Sequence, residues 1–292
     1  MSLPFDVVFG IDWSGSKATR LPGLRVAVCT PGDAPPVLLS GPRADGLWRR
    51  MDVLGMLVDR IEAGERVLAG FDFAFAYAFE DMGAYFPGLP DAPSDIRALW
   101  AYVERLSRDA PDLYGGAVYA AGSPVAEHYL TPAGRGNRYT HRRRATETAC
   151  AAVTSPHPVF KCVGAANVGT GSLAGMRFLH RLKTALDDRV TVWPFDGIVP
   201  KPAMVCEIFP RLAVKQACLD PTRWRESGVV DAVLCHHGSM AYTGDEPLDT
   251  EDKADAVMAA AALRARAAMN AVWQAPSKQP AAAREGWIFG VT

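Results

Sequence analysis

The chain has 292 residues, 49% of them hydrophobic and 22% charged, with a formal net charge of −1. That composition sustains a sizeable core and excludes a disordered or collagen-like chain; the near-zero charge excludes a global basic field, so any polyanion must be met by a local patch. There is no signal-like N-terminus, no apolar run near the ~18 residues of a membrane span, and no C-x-x-C pair among the six cysteines, which predicts a cytoplasmic protein with reduced, mostly buried thiols.

Three strands are expected first, Asp6 to Trp13, Leu24 to Thr30 and Pro36 to Ser40, separated by Gly, Pro and Asp turns and therefore read as an antiparallel meander. A helix follows from about Gly46 to Ala63, where Met51, Leu54, Val58 and Ile61 recur at helical spacing. "ERVLAGFDFAF", Glu65 to Phe75, reads as a buried strand carrying Asp72. From about residue 80 to 201 the pattern loses regularity and reads as an insertion in a single domain spanning 1–292. It contains helices near Ser94 to Arg108 and Ser172 to Leu186 and a basic loop at Gly134 to Arg144. Strands are expected at Val190 to Phe195 and Ala203 to Pro210, a helix from Arg211, an Ala-rich helix from Thr250 to Trp273, and a closing strand at Glu285 to Val291.

The carboxylates raise the chemical question. Asp12 and Asp72 each end a strand that should be buried, and an ionised side chain there is costly unless something cationic or hydrogen-bonding meets it. In open α/β sheets, ligands gather at the carboxyl ends of strands. Asp252 and Asp255, three residues apart, share one face of the late helix and bring two more carboxylates if that helix lies against the sheet; taken singly, either would only complement the helix dipole. Several carboxylates converging there repel one another unless divalent cations intervene, and Mg2+ or Mn2+ prefer oxygen ligands. Bound metal is thus the partner expected for Asp12.

The order of three antiparallel strands, helix, acidic strand and a late helix with D-x-x-D-A resembles the ribonuclease H-like fold, and Asp252 to Ala256 resembles the corresponding stretch of Holliday-junction resolvases. The chain more closely resembles domain of unknown function 429, a group described as predicted RNase H-like nucleases. The matching pieces are Gly10-Ile11-Asp12, Gly70-Phe71-Asp72, Glu207-Ile208-Phe209-Pro210, Asp252 to Ala256 and Glu285-Gly286-Trp287-Ile288. Phe73-Ala74-Phe75 departs from the Ala-Pro-Leu that the group commonly shows after its second acidic strand.

The resemblance implies an α/β fold with a mixed sheet flanked by helices, and a two-metal phosphodiesterase acting on DNA or RNA with Mg2+ or Mn2+. Asp12 would bridge the ions, Asp72 and Asp255 would complete the ligand set, Asp252 would be a ligand or lie just behind it, and Glu207 would be a peripheral base or ligand. Ser14, Ser16 and Lys17 would meet phosphate oxygens, or simply shape a turn. "RGNRYTHRRR" supplies Arg135, Arg138, Arg142, Arg143 and Arg144 with Tyr139 interleaved, a pattern suited to phosphate forks and base stacking or to a solvated loop. Arg144 and Glu147 resemble an Arg/Glu element of the group, which would set an ion pair near the metals. Cys235-His236-His237 reads as packing, since adjacent side chains do not easily converge on one ion. Two other classes stay open: an actin-like phosphotransferase, because "GIDWSGSK" resembles a phosphate-binding hairpin, and a binding module without catalysis.

Overall fold

Val7, Phe9 and Ile11 point to one side of the first strand and Val8 and Gly10 to the other, and both sides are covered. In a computed structural model, which describes residues 5–164, 167–198 and 202–292, this strand, β1 (Val7–Asp12), lies inside a six-stranded sheet. β2 (Arg25–Cys29) pairs antiparallel with β1, and β3 (Val37–Leu39) antiparallel with β2. After α1 (Arg50–Glu62), β4 (Val67–Phe71) returns parallel on the far side of β1. Next in the chain come α2 (Ile96–Leu106), a small hairpin of β5 (Leu130–Thr131) and β6 (Gly134–Arg135), α3 (Ala145–Cys150) and α4 (Val168–Leu186). β7 (Val190–Val192) and β8 (Ala203–Glu207) complete the sheet in the order β3-β2-β1-β4-β8-β7, with every contact beyond β1 parallel. α5 (Pro210–Gln216), α6 (Val229–His236), α7 (Glu251–Ala267), α8 (Asn270–Gln274) and α9 (Ala282–Glu285) follow.

Strand alternation divides the core. Phe9, Ile11, Ala69 and Phe71 pack with Leu57, Leu173 and Phe178 from α1 and α4 on one face. Val8, Leu68 and Cys206 pack with Ala256, Ala260 and Leu263 of α7 on the other. Small residues let α7 lie very close: a Cβ built at Gly10 would sit 2.4 Å from the Ala260 backbone nitrogen and 2.5 Å from the Ala256 carbonyl oxygen.

The sequence-based element boundaries need several corrections. The acidic strand stops at Phe71, so Asp72 is the first residue beyond it. Residues 80–201 are not simply an insertion, because α4 supplies a wall of the main core and β7 is an edge strand of the main sheet. α4 begins at Val168, where the Asn167 side chain accepts from the Thr170 N–H and caps it. α7 ends at Ala267, and Trp273 belongs to a separate short helix, Asn270–Gln274. The closing strand does not form: Gly286 and Gly290 adopt φ of 73° and 101°, which interrupts an extended run, and only Ile288 bridges to Glu207. In α1 the buried stripe is Val53, Leu54, Leu57 and Ile61, with Met51 left exposed. Four cysteines are buried and two, Cys218 and Cys235, are exposed. No helix of the described residues is long and apolar enough to cross a membrane.

Candidate functional site

β1 and β4 run parallel with Ile11 beside Phe71, so the residues that follow, Asp12 and Asp72, stand next to each other at the carboxyl ends of the two central strands. The Asp72 N–H donates to the Ile11 carbonyl at 3.0 Å and continues the ladder by one bond. α7 crosses the same face of the sheet. Thr250 caps its start by accepting from the Lys253 N–H, and its first turns deliver Asp252 and Asp255 to Asp12. The close packing at Gly10 is what brings this helix end within reach.

The resulting field is strongly acidic. Asp12 is only 8% exposed, and burial, then repulsion from Asp72, Asp255 and Asp252, holds its pKa well above the usual carboxylate range, with a hydrogen bond to Asp252 in the same direction. Burial also lifts Asp255 well above that range, reinforced by Asp72, Glu251 and Asp252 and opposed by Arg211. Asp72 is raised to about 7 by burial and by Glu207. Lys253, lying between the two helix aspartates in sequence, turns instead to Glu246 at 2.9 Å and Asp249 at 2.8 Å. Among the described residues, no group of three or more His, Cys, Asp or Glu side chains is disposed as a ready-made metal shell. The four aspartates share one field without converging on one point.

Glu207, at the end of β8, has a different environment. Arg144 Nη1 donates to its Oε2 at 2.7 Å and Nη2 to its Oε1 at 2.5 Å, while the Phe75 N–H also donates to Oε2. Arg144 Nε reaches Glu147 Oε1 at 2.9 Å, and its Nη1 also bonds the Glu285 carbonyl. Glu285 in turn accepts from the Ala145, Phe79 and Glu80 N–H groups. The network is almost fully buried. Glu207 is therefore corrected from peripheral base or ligand to one half of a buried ion pair, and Arg144 from a substrate contact to the other half. Arg142 needs the same correction: it is buried, pairs with Asp81 and donates to the Ala78, Ala84 and Tyr85 carbonyls.

The remaining candidates scatter. Ser14 Oγ accepts from the Ser16 N–H and Ser16 Oγ from the Ala18 N–H, so both hydroxyls serve their own turn. Buried Arg50 donates to the Ser14 and Ser16 carbonyls, while Lys17 is exposed. Gly15 sits against α4, where a Cβ would be 2.4 Å from the Gly171 nitrogen. Arg135 lies over the Tyr139 ring, Arg138 donates to the Pro87 carbonyl, and Arg143 donates to Ser155 Oγ. His237 Nε2 contacts the Ala213 carbonyl in the packing expected for the Cys-His-His stretch.

A pocket of about 230 Å3 opens beside Asp72, lined among others by Trp13, His157, Asn167, Glu207 and Arg211. Sequence reasoning passed over Trp13, His157 and Arg211. Only Arg211 had a usable signal, because it follows Glu207 and Pro210 at the first turn of a helix. The chain matches no protein-family model, no curated protein and no solved structure.

Proposed function

We propose that the chain is a metal-dependent phosphodiesterase with a ribonuclease H-like sheet, acting on nucleic acid. The observation that carries this reading is the meeting of Asp12, Asp72, Asp252 and Asp255 in one half-buried field. None of the four forms an ion pair with Lys or Arg among the described residues. The meander followed by parallel strands, and the position of the cluster at the carboxyl ends of β1 and β4, support the same reading.

An all-oxygen, uncompensated donor set suits Mg2+ or Mn2+. Asp12, Asp72 and Asp255 would hold the metal, with Asp252 adjoining. Bound, it would supply an activated water and charge to stabilise a leaving oxygen. The chain itself contributes order. Parallel pairing fixes Asp12 against Asp72, the cap and close packing of α7 fix Asp255, and the Arg144–Glu207 pair holds the end of β8 beside Asp72. Arg211, near enough to draw down the Asp255 proton affinity, is the cation placed to meet an anionic substrate at the edge of the field.

The test is cleavage of labelled single-stranded and duplex DNA and RNA with Mn2+ by wild type, Asp12→Asn and Asp255→Asn. Wild type is expected to cut at least one substrate and each variant to lose about a hundredfold or more, the scale on which removal of one charge-stabilising group acts. Equal cleavage by all three proteins, or none by wild type, overturns the reading.

A further inference from the structure

We infer that Arg25 is a backbone-phosphate contact for the nucleic acid, so that the substrate strand crosses the carboxyl ends of the central strands from the β2 side toward the β8 side. The inference rests on the phosphodiesterase reading for the identity of the polyanion. Its evidence is a residue that the reading does not use.

Antiparallel pairing of β1 with β2 sets Arg25 directly opposite Asp12. Side chains of such a pair leave the same face of the sheet with their Cβ atoms about 5 Å apart. Arg25 therefore stands on the α7 face, at the border of the acidic field, and the strand register alone puts it there. A guanidinium in that place is expected to fork onto a carboxylate. It does not: among the described residues Arg25 makes neither a hydrogen bond nor an ion pair. The acids around it are engaged with other groups, Asp252 with Asp12 and Asp249 with Lys253 at 2.8 Å. Arg25 is half-buried and its Nε is covered, so the stem is held by the fold while the outer end of the guanidinium keeps access to solvent. An arginine fixed at its stem and unpaired at its head is disposed to receive an anion from outside.

Arg211 gives the path its second point. It lies in the first turn of α5, directly after β8, and likewise carries no ion pair among the described residues. The strands run in the order β2-β1-β4-β8, so the two guanidinium-bearing positions flank Asp12 and Asp72 from opposite sides. Three strand spacings separate them, about 14 Å, which is several steps of a stacked strand at roughly 3.4 Å per nucleotide. One strand touches both arginines only by lying across the strand ends, with the phosphodiester between those contacts held over the aspartates. Four carboxylates repel that strand, and a cation on each flank offsets the repulsion without neutralising the cluster itself.

The test measures binding of fluorescent single-stranded DNA and RNA dodecanucleotides to the full chain, in EDTA and across a salt series, so that neither metal nor cleavage contributes. Arg25→Gln is expected to weaken binding about tenfold at low salt, the scale of one charge-assisted hydrogen bond. It should also make the dependence of log K on log salt shallower by about 0.7, the share of one phosphate contact on a single strand. Arg25→Lys keeps the charge and should keep the slope, and Arg25→Gln combined with Arg211→Gln should lower it by about 1.4. Melting curves check that each variant folds. An unchanged slope in Arg25→Gln, a slope lost equally in Arg25→Lys, or a wild type that binds neither oligonucleotide overturns the inference. Cleavage by wild type together with an unchanged Arg25→Gln slope leaves the nuclease reading without this path. The expected slopes in a protein that cuts nothing leave the path as a binding surface without the nuclease.

Discussion

Asp72 binds its proton in the folded chain up to about pH 7, roughly three units above a free carboxylate, because burial and Glu207 disfavour its charge. The native state therefore holds this proton more tightly than the unfolded chain does. Its stabilising contribution is complete below about pH 4 and is lost as pH rises toward 7. In EDTA, the melting temperature of wild type relative to Asp72→Asn is expected to fall across that window. The difference between the two proteins is the proper readout, since His128 and His237, both held near 4 by burial, act in the opposite sense. A difference that stays flat from pH 4.5 to 7.5 would contradict the electrostatics of the site. Arg144 makes the second case at this scale. Arg144→Met leaves Glu207 and Glu147 buried without a cation, a loss expected to cost about 3–5 kcal/mol in chemical denaturation. In the sequence, Arg144 stood in a basic run, and only its local partner Glu147, three residues on, was legible; the other two partners lie 63 and 141 residues away, and no local pattern announces them. Asp12 and Asp72 were legible because a charge at the end of an apolar strand is itself an anomaly.

At the scale of elements, the active-site candidate depends on the distance between α7 and β1. The helix was readable from its alanines and from Asp252 and Asp255, but the reason it can lie so close is the bare Cα of Gly10. Gly10→Ala would drive a methyl group into the backbone of Ala256 and Ala260. Overpacking of this kind typically costs about 1–3 kcal/mol, and here it also lifts Asp252 and Asp255 away from Asp12. The expected outcome is a protein that still folds, with a lower urea midpoint and weakened Mn2+ binding. Unchanged Mn2+ affinity in a destabilised Gly10→Ala protein would show that the helix end does not belong to the site. α4 and β7 were legible as a helix and a strand, and what was misread is their place in the fold. α4 and β7 lie in a Pro- and Gly-rich region whose periodicity is short-range, and their place in the core is decided by distant partners such as Phe71 and Val205. The segment after Glu285 carries strand-forming residues, yet its two left-handed glycines override that propensity.

For the whole molecule, the sheet separates two kinds of electrostatics at one end: paired charges around Arg144 and unpaired acidic charge around Asp12. The first stabilises the fold alone; the second, on the proposed metal reading, would stabilise it only with a cation bound. Binding to the native state alone raises stability by RT ln(1 + [L]/Kd), about 2.7 kcal/mol at a hundredfold excess over Kd. Mn2+ is therefore expected to raise the melting temperature of wild type, and to do so more at pH 7.5 than at pH 5.5, because protons on Asp72, Asp12 and Asp255 must leave before the metal binds. Asp12→Asn and Asp255→Asn relieve the repulsion and should be more stable than wild type in EDTA while gaining little from Mn2+. The opposite signs of these two effects separate a metal site from a merely acidic helix end, whose removal would change stability equally with and without the ion. A scanning-calorimetry series on the three proteins, at both pH values with EDTA or Mn2+, measures both signs in one experiment.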